Sequence, residues 1–320
     1  MTTCLVLGAT GFIGGQIVRA ALVRGWRVRA LRRDPHAVGA IGDLRPDWIS
    51  GNLDDPASLR AAMRGCEVVF HAAAAYPHSA KNIDQHVQAA VAQLRTVLDA
   101  ARDAQVKRVI YTSSFTTIGP ARDRSRGADE QDCYEPGSAG DAYYEAKWAM
   151  EVAALKSDVP VIALCPSAVF GPGDVHLSVS EIIVQTAQGK MPVYVDATFG
   201  AIDVRDVAEA FARALDHPAP IGATINVGSG IATTICDVAH GLATALDVDP
   251  ELVVTGQYRL GDIRHNCADL TALRSTLGFS PQTTVSEGLR QFVEWLKTEP
   301  VPADGLEQAN RELISRKLMA

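Results

Sequence analysis

The stretch TCLVLGATGFIG occupies residues 3–14 of the chain. Four consecutive apolar residues lead directly into a loop with glycines at Gly8, Gly11 and Gly14. A short apolar run of this kind is typical of a strand buried on both faces, and the segment after the loop has helical periodicity. The stretch therefore predicts a buried strand, a tight glycine turn and the start of a helix.

Strands and helices alternate along the first half of the chain. Further apolar runs are found at Val28–Leu31, Val68–Ala72, Val109–Thr112 and Val159–Leu164. Segments with helical periodicity lie between them at Ile13–Arg24, Pro56–Arg64, Ile83–Ala104 and Ala142–Lys156. Strands that alternate with helices of crossover length predict an α/β fold with a doubly wound parallel sheet.

The alternation becomes less regular after Gly171, where turns rich in glycine and proline begin. We predict a helix near Val179–Gln188 and strands at Pro192–Val195 and Thr224–Val227. The change in pattern divides the chain into a sheet domain at residues 1–170 and a smaller C-terminal lobe at 171–320, interleaved with the sheet.

The composition excludes several classes of protein. Hydrophobic residues make up 47% of the 320 residues and charged residues 21%, as in globular rather than disordered chains. The formal net charge of -7 provides no basic field for nucleic acid. No apolar run approaches the roughly 20 residues that cross a bilayer, and the first residues lack a leader pattern. We expect a cytoplasmic protein that binds neither nucleic acid nor a membrane.

The six cysteines are scattered along the chain without the C-x-x-C spacing of many metal and redox sites. They are Cys4, Cys66, Cys133, Cys165, Cys236 and Cys267. A chain of this length needs no disulfide framework, so we interpret them as reduced thiols and predict no metal site.

The glycine loop has the composition of a dinucleotide-binding turn. Glycines let the backbone approach a pyrophosphate closely, and a helix N-terminus offers free N–H groups and a positive dipole end. Its place between a strand and a helix favours this interpretation over a purely structural turn. We expect the cofactor to contact Gly8, Thr10, Gly11, Phe12, Ile13 and Gly14.

The second predicted strand leads into Arg32 and Arg33, where the adenosine ribose of a dinucleotide would lie. A carboxylate at this place accepts hydrogen bonds from a free 2′-hydroxyl, whereas a guanidinium pairs with a 2′-phosphate. The arginines therefore favour NADP(H) over NAD(H), and a solvated basic turn is the alternative. Asn52 and Leu53 follow a further short strand and are expected near the adenine ring.

Tyr143 and Lys147 are four residues apart in a predicted helix, which puts both on one face. A tyrosine with a pKa of about 10 is a poor base at neutral pH, and a neighbouring ammonium corrects this by stabilising the phenolate. Ser114 closes a β/α unit at the carboxyl edge of the sheet, where open α/β folds bind ligands. The alternative is an exposed Tyr/Lys pair without a catalytic role.

Together these motifs resemble the extended short-chain dehydrogenase/reductase family, in its NAD(P)-dependent epimerase/dehydratase branch. The resemblance covers nearly the whole chain and includes the strand end at Phe70–Ala74, the run Tyr111–Ser114 and the segment Pro166–Gly173. It implies a Rossmann fold, an oxidoreductase activity and a nicotinamide cofactor bound by residues 1–170, with substrate bound mainly by residues 171–320.

The resemblance also implies roles for individual residues. Tyr143 would be the acid/base, Lys147 would lower the tyrosine pKa and bind the nicotinamide ribose, and Ser114 would hydrogen-bond the substrate oxygen. Ser113 is the alternative to Ser114 if the register differs by one residue. The cofactor would also be lined by Ala72, Ala73, Ala74, Ser113, Pro166, Ala168 and Val169.

Two kinds of enzyme within the family compete. Residues 28–35 resemble the cofactor strand of dihydroflavonol-reductase-like enzymes, with Arg33 at the 2′-phosphate. Residues 191–196, which include Tyr194, resemble a bacterial group of hopanoid-associated sugar epimerases close to that branch. Residues 258–265 resemble nucleotide-sugar epimerases and dehydratases, in which the position of Arg259 binds the substrate pyrophosphate. Tyr194 and Arg259 are therefore candidate substrate contacts.

Two departures from the family pattern affect substrate binding. Phe199 stands where nucleotide-sugar epimerases usually carry a second phosphate-binding arginine, and Ala90 replaces an asparagine that is normally near the catalytic group. We expect an NADP(H)-dependent oxidoreductase that transfers a hydride between nicotinamide and a carbonyl or secondary-alcohol carbon of a small molecule. The alternatives are a nucleotide-sugar 4-epimerase or dehydratase with a tightly bound cofactor, and a non-catalytic NADP-binding sensor.

The predicted helices Ile83–Ala104 and Ala142–Lys156 carry more apolar residues than one sheet-facing side needs. These are Val87, Val91, Leu94, Val97 and Leu98 in the first helix, and Trp148, Met150, Val152 and Leu155 in the second. In the family that the chain resembles, these helices pair across a two-fold axis into a four-helix bundle, so we predict a homodimer. Light scattering at micromolar concentration should give twice the chain mass of 34.1 kDa, and a particle of 34.1 kDa would contradict the prediction.

Overall fold

The computed structural model describes residues 1–73, 82–123, 125–174, 198–217, 220–246 and 267–298, and only the backbone of 193–194, 253–254 and 265–266. Its central sheet contains β1 (Thr3–Leu7), β2 (Arg27–Arg32), β3 (Asp47–Ser50), β4 (Val68–His71), β5 (Arg108–Thr112), β6 (Val161–Pro166) and β11 (Thr224–Val227). Eight helices are assigned in these ranges: α1 (Phe12–Val23), α2 (Pro56–Met63), α3 (Ile83–Asp103), α4 (Ala142–Leu155), α5 (Val204–Asp216), α6 (Ile235–Leu246), α7 (Thr271–Leu277) and α8 (Val285–Leu296).

The seven strands of the central sheet are parallel and lie in the order β11-β6-β5-β4-β1-β2-β3. Chain order runs outward in one direction from β1 and in the other from β4. The boundary between these two strands is therefore a topological switch point, where open α/β sheets bind ligands beyond the carboxyl ends of the strands. The predicted doubly wound Rossmann sheet is confirmed.

Alternate residues of each strand enter different cores, because side chains on a strand point to opposite faces. Val6 lies in a cluster with Ile17 of α1 and Phe211 of α5, whereas Leu5 lies in a cluster with Leu94 of α3. All five residues are 0 to 1% exposed. The sheet is thus covered by helices on both faces, which explains why its strands are apolar runs without alternation.

The four helices predicted in the first half begin within one residue of the predicted positions. Side chains that cap helix N-termini explain three of these starts. Asp55 accepts a hydrogen bond from the Ala57 amide, Asn82 from the Gln85 amide, and Asp141 from the Tyr143 amide. The predicted start of β6 precedes the start in the structure. The run predicted from Val159 becomes regular only at Val161, after Pro160, which has no N–H to donate.

Several apolar residues of α3 and α4 that contributed to the dimer prediction belong to the core of the chain itself. Leu94, Val97, Leu98 and Met150 are at most 5% exposed and pack in the cluster that covers one face of the sheet. The residues from the prediction that remain partly exposed are Val87, Val91, Trp148, Val152 and Leu155. The apolar surface left over for a partner is therefore narrower than the sequence pattern suggests.

The C-terminal region forms small sheets and a third core. Strands β7 (Ala168–Phe170) and β10 (Ala201–Asp203) pair in parallel. Strand β9 (Thr198–Phe199) lies between β12 (Thr233–Thr234) and β14 (His265–Asn266), and β8 (Val193–Tyr194) pairs with β13 (Val253–Val254). Helices α6 and α8 pack here through Leu242, Leu289 and Phe292. The strand predicted at 224–227 is confirmed as β11 and lies in the central sheet. The helix predicted at 179–188 lies outside the described residues.

None of the helices within the described ranges has the length and apolar composition of a transmembrane span. All six cysteines are free thiols. The domain boundary at residue 170 stays a prediction.

Candidate functional site

The predicted functional segments meet at the carboxyl edge of the central sheet. The Ala72 amide after β4 donates to the Leu7 carbonyl at the end of β1 over 3.0 Å. The Ser113 amide after β5 donates to the Leu164 carbonyl of β6 over 2.8 Å. The segments that begin with Gly8, Ala72 and Ser113 therefore follow the carboxyl ends of neighbouring strands, at the switch point of the sheet.

The glycine loop is packed too closely for side chains. Gly8 has a φ of +81°, and the Gly11 amide donates to the Gly8 carbonyl over 2.9 Å. A Cβ on Gly14 would lie 2.0 Å from the Gly8 carbonyl oxygen, and a Cβ on Gly8 would lie 2.6 Å from the Ala72 carbonyl oxygen. Such contacts are possible only for glycine, because the helix start lies directly against the strand ends.

The start of α1 is available to an anion. Gly11 is its N-cap, no side chain caps its free amides, and its first turn, which includes Phe12 and Ile13, holds no acidic residue. Uncapped amides at the positive end of a helix dipole bind phosphate groups. The residues present therefore fit the pyrophosphate of a dinucleotide.

Two contacts around this loop were not found from the sequence. The Gln16 amide nitrogen of α1 donates to the Pro172 carbonyl over 3.1 Å, which ties the start of the C-terminal region to the cofactor helix. A Cβ on Gly39 would lie 2.2 Å from the Thr10 carbonyl oxygen, so the turn after β2 supports the loop from outside. Both join residues far apart in sequence, and no local pattern marks them.

Arg32 and Arg33 have different surroundings. The Arg32 guanidinium lies 4.7 Å from the centroid of the Trp48 ring, and its Nη1 donates to the Ala37 carbonyl over 3.2 Å. Arg33 is exposed and makes no hydrogen bond or ion pair with other described residues. Arg32 is thus held by the protein, while the Arg33 side chain remains available to a ligand.

Asn52 and Leu53 lie at the same edge of the sheet as these arginines. The Gly51 amide donates to the Arg32 carbonyl over 3.0 Å, and the Asn52 side chain accepts the Asp54 amide over 3.2 Å. This local turn begins directly after β3, beside the end of β2. The predicted adenine contacts are therefore close to the predicted ribose contacts.

Lys147 is buried on α4 and points at the end of β5. It is 3% exposed, and its Nζ donates to the carbonyl oxygens of Thr112 over 3.1 Å and Ser113 over 3.4 Å. Its Nζ also lies 5.9 Å from the centroid of the Tyr143 ring. Burial lowers the pKa of Lys147 from 10.5 to about 8, while interactions with Cys165 and Glu151 act in the opposite direction.

The two adjacent serines have different hydrogen-bonding roles. The Ser113 hydroxyl donates to the Glu151 carboxylate of α4. The Ser114 Oγ accepts the Thr116 amide over 3.2 Å, which leaves its hydroxyl hydrogen for another acceptor. This difference favours Ser114 over Ser113 as the residue that donates to a substrate oxygen.

His71, at the end of β4, is a buried neighbour of these groups. It is 1% exposed, and its ring lies edge-on to Tyr111 with centroids 5.7 Å apart. Burial, followed by the charge of Lys147, lowers the pKa of His71 from 6.5 to about 4. The imidazole is therefore uncharged at neutral pH.

The structure describes some of the remaining predicted cofactor and substrate contacts but not others. Ala72, Ala73, Ala168 and Val169 are half-buried, and Pro166 is buried at the end of β6. Ala74 and Arg259 lie outside the described residues, and Tyr194 is described only by its backbone in β8. No group of three or more His, Cys, Asp or Glu side chains that could hold a metal occurs within the described part of the chain.

The two departures from the family pattern are both packed against apolar cores. Phe199 of β9 packs against the third core, with Phe170 and Phe292. Ala90 of α3 packs against the cluster that contains Leu94. Neither position offers a polar group to the site.

Comparison with known proteins gives matches of two kinds. Residues 4–228 match the NAD dependent epimerase/dehydratase family. A putative dihydroflavonol 4-reductase of Synechocystis sp. is 36% identical over 213 residues, 65% of this chain and 62% of that protein. The chain thus spans less than two thirds of that relative.

Two further matches extend over almost the whole chain. The UDP-glucose 4-epimerase of Mycolicibacterium smegmatis is 28% identical over 92% of this chain and 98% of that protein. The structure of MoeE5 in complex with UDP-glucose and NAD superposes with a TM-score of 0.79 at 26% identity, over 93% of this chain and 99% of that chain.

The close packing of the glycine loop gives a testable prediction. Gly14→Ala should lower the thermal unfolding temperature and weaken binding of a nicotinamide dinucleotide at least about 10-fold, because the added Cβ must displace the Gly8 carbonyl. Gly15→Ala, one residue further, is the matched control: its nearest contact would be 3.2 Å from a methyl of Ile41. Thermal unfolding and fluorescence titration compare the variants. Equal behaviour of the two would show that the close approach at Gly14 is not required.

Proposed function

Because the chain belongs to the NAD dependent epimerase/dehydratase family, we propose that it is an NADP(H)-dependent reductase of carbonyl compounds. Membership already makes it an enzyme of the extended short-chain dehydrogenase/reductase kind with a nicotinamide cofactor. The observation that carries the catalytic part of the proposal is the buried Lys147 ammonium beside the Tyr143 ring, next to an uncommitted Ser114 hydroxyl. These are the parts that general acid/base catalysis at a carbonyl oxygen needs.

In the proposed mechanism, the bound cofactor supplies the hydride. Ser114 donates a hydrogen bond to the substrate oxygen and orients it. Tyr143 gives its phenolic proton to the same oxygen as negative charge develops there, and the Lys147 cation stabilises the phenolate that remains. Lys147 would also hold the nicotinamide ribose. The protein therefore contributes orientation, proton transfer and electrostatic stabilisation.

The preference for NADP(H) is supported by Arg33. Arg32 stacks on Trp48 and is held by the Ala37 carbonyl, so its neighbour is the guanidinium available to a 2′-phosphate. No acidic residue ends β2, where one would accept hydrogen bonds from a free 2′-hydroxyl. The protein would work in the cytoplasm as a homodimer through α3 and α4; its free cysteines and the partly exposed Trp148 support this.

A reductase is favoured over a nucleotide-sugar epimerase by Phe199. Its place against an apolar core provides no cation for a substrate pyrophosphate. The second candidate, a nucleotide-sugar 4-epimerase, is favoured by the nearly full-length match to the UDP-glucose 4-epimerase. The two differ in their cofactor use, because an epimerase regenerates its cofactor in each turnover, whereas a reductase exchanges it.

The activity itself can be tested with substrates of the relatives. The purified protein is incubated with NADPH and a dihydroflavonol, and separately with NAD and UDP-glucose. We expect loss of NADPH absorbance with a carbonyl compound and no epimerisation of UDP-glucose. Tightly bound NAD together with epimerisation would establish the second candidate.

The catalytic roles predict a graded series of variants. Tyr143→Phe should keep NADPH binding and lower kcat by about 10²- to 10⁴-fold, because it removes the proton donor. Lys147→Ala should impair both turnover and cofactor binding. Ser114→Ala should lower kcat less than Tyr143→Phe does. Tyr144→Phe is the control, since its side chain lies about 100° around the helix from Tyr143. Steady-state kinetics that showed equal damage from Tyr144→Phe and Tyr143→Phe would refute the assignment.

The cofactor preference predicts the effect of one substitution. Arg33→Ala should weaken NADPH binding by about 10- to 150-fold through loss of a charge-assisted phosphate contact, and leave NADH binding unchanged. Arg27→Ala, an exposed arginine at the opposite end of β2, is the control for a change in surface charge. Isothermal titration with both cofactors measures the difference. Equal wild-type affinities for NADPH and NADH would contradict the preference.

A further inference from the structure

Glu151 lies one helical turn beyond Lys147 on α4 and is buried at 8% exposure. Its carboxylate accepts four side-chain donors: the Ser113 hydroxyl, the Thr117 hydroxyl over 2.7 Å, the Thr224 hydroxyl over 3.1 Å and the Cys165 thiol over 3.5 Å. The donors come from the end of β5 and the turn after it, and from β6 and β11. One side chain therefore connects α4 to three neighbouring strands.

Two residues that hydrogen-bond to Glu151 lie before and after the proposed catalytic Ser114 in the sequence. Ser113 and Thr117 stand on either side of the turn that presents Ser114, and the Thr117 hydroxyl also lies 2.8 Å from the Ser114 carbonyl. The carbonyl of Ser113 is in turn an acceptor of Lys147. Glu151 thus holds the backbone that orients both Ser114 and Lys147.

Burial of the Glu151 carboxylate among neutral donors reduces the stability of the folded protein. Desolvation of a charge disfavours folding, and an apolar side chain of similar volume often packs as well or better. Lys147, one helical turn earlier on α4, is a cation that interacts with the charge of Glu151. The charge of Glu151 therefore acts on Lys147 in a way that a hydrophobic side chain at this position could not.

We propose that Glu151 is a positioning residue of the active site, which holds the turn from Ser113 to Thr117 against α4 and supplies the negative charge that keeps Lys147 a cation. This inference rests on the proposed role of Lys147. Without the carboxylate, burial would leave the lysine neutral over more of the working pH range, and a neutral lysine does not stabilise a phenolate.

Among the described residues around Lys147, the other titratable groups do not replace Glu151. Burial raises the pKa of the Cys165 thiol of β6 well above its usual value, so this thiol carries no charge in the working range. His71 of β4 is uncharged above about pH 4. Tyr111 of β5 and Tyr143 of α4 face the ammonium through their rings, 5.9 Å from Nζ in both cases.

A double-mutant cycle tests the charge interaction without any substrate. Glu151→Gln keeps the shape of the side chain, and the hydroxyls around it can rotate to pair with an amide. Urea midpoints are measured for Glu151→Gln in the wild-type background and in a Lys147→Met background, at pH 6.5 and pH 10. We expect a larger drop in midpoint with Lys147 present at pH 6.5, and no difference between backgrounds at pH 10, where the lysine is neutral in the folded protein.

The sign of this pH dependence follows from the folded and unfolded pKa values. Lys147 has a pKa of about 8 in the folded chain against 10.5 when exposed, so the unfolded chain binds more protons between these values and stability rises with pH. Removal of Glu151 lowers the folded pKa further. The rise should then start about one pH unit lower.

Two variants keep the outcome interpretable. Thr224→Val removes one donor but retains the charge, so its midpoint drop should be the same in both backgrounds. Should Glu151→Gln not fold, Glu151→Met combined with Thr117→Val fills the space with fewer unpaired donors, and the same dependence on Lys147 is expected. A drop that is equal in both backgrounds at both pH values would show a purely structural glutamate and overturn the proposal.

The effect on catalysis is measured separately from the proposed function. With whichever carbonyl compound the wild type reduces, the alkaline limb of kcat/KM should move down by about one pH unit in Glu151→Gln and stay in place in Thr224→Val. An unmoved limb in Glu151→Gln would refute the positioning role. Absence of reduction by the wild type would be a failure of the proposed function alone, and the urea cycle would still decide the interaction.

Discussion

The approach of Gly14 to the carbonyl of Gly8 is the constraint on which the other features of the site depend. It places the first turn of α1 directly on the ends of β1 and β4, and because the N-cap is Gly11, the amides of this turn have no side-chain cap. With α1 fixed there, Gln16 meets Pro172, and the neighbouring strand ends carry their loops to the same crevice. Any larger residue would move the helix away from the sheet and open this arrangement.

The sequence was sufficient for features that depend on neighbours along the chain. The helix starts were predicted from helical periodicity, and in the structure Asp55, Asn82 and Asp141 cap them within three residues. The parallel sheet was predicted from the alternation of strands and helices. Contacts between distant residues were not predictable. The stacking of Arg32 on Trp48 and the hydrogen bond from Ser113 to Glu151 join residues whose relation only the fold determines.

Those long-range contacts change how the motif residues are understood. Two adjacent arginines and two adjacent serines have equivalent places in the sequence, yet the side chain of only one of each pair donates a hydrogen bond to another described residue. The serines follow β5, and the turn after this strand directs the Ser113 hydroxyl to Glu151, while the Ser114 Oγ accepts a hydrogen bond from the Thr116 amide. A motif therefore defines a set of candidates, and packing selects the member that can meet a ligand.

The late return of the chain to the central sheet has a consequence for its synthesis. Strand β6 pairs with β11, and Arg108 of β5 donates to the Ala214 and His217 carbonyls at the end of α5. A ribosome must therefore deliver more than fifty further residues after β6 before the edge of the buried sheet is closed. Until then the nascent chain exposes an apolar strand edge of the kind that chaperones cover and that promotes aggregation.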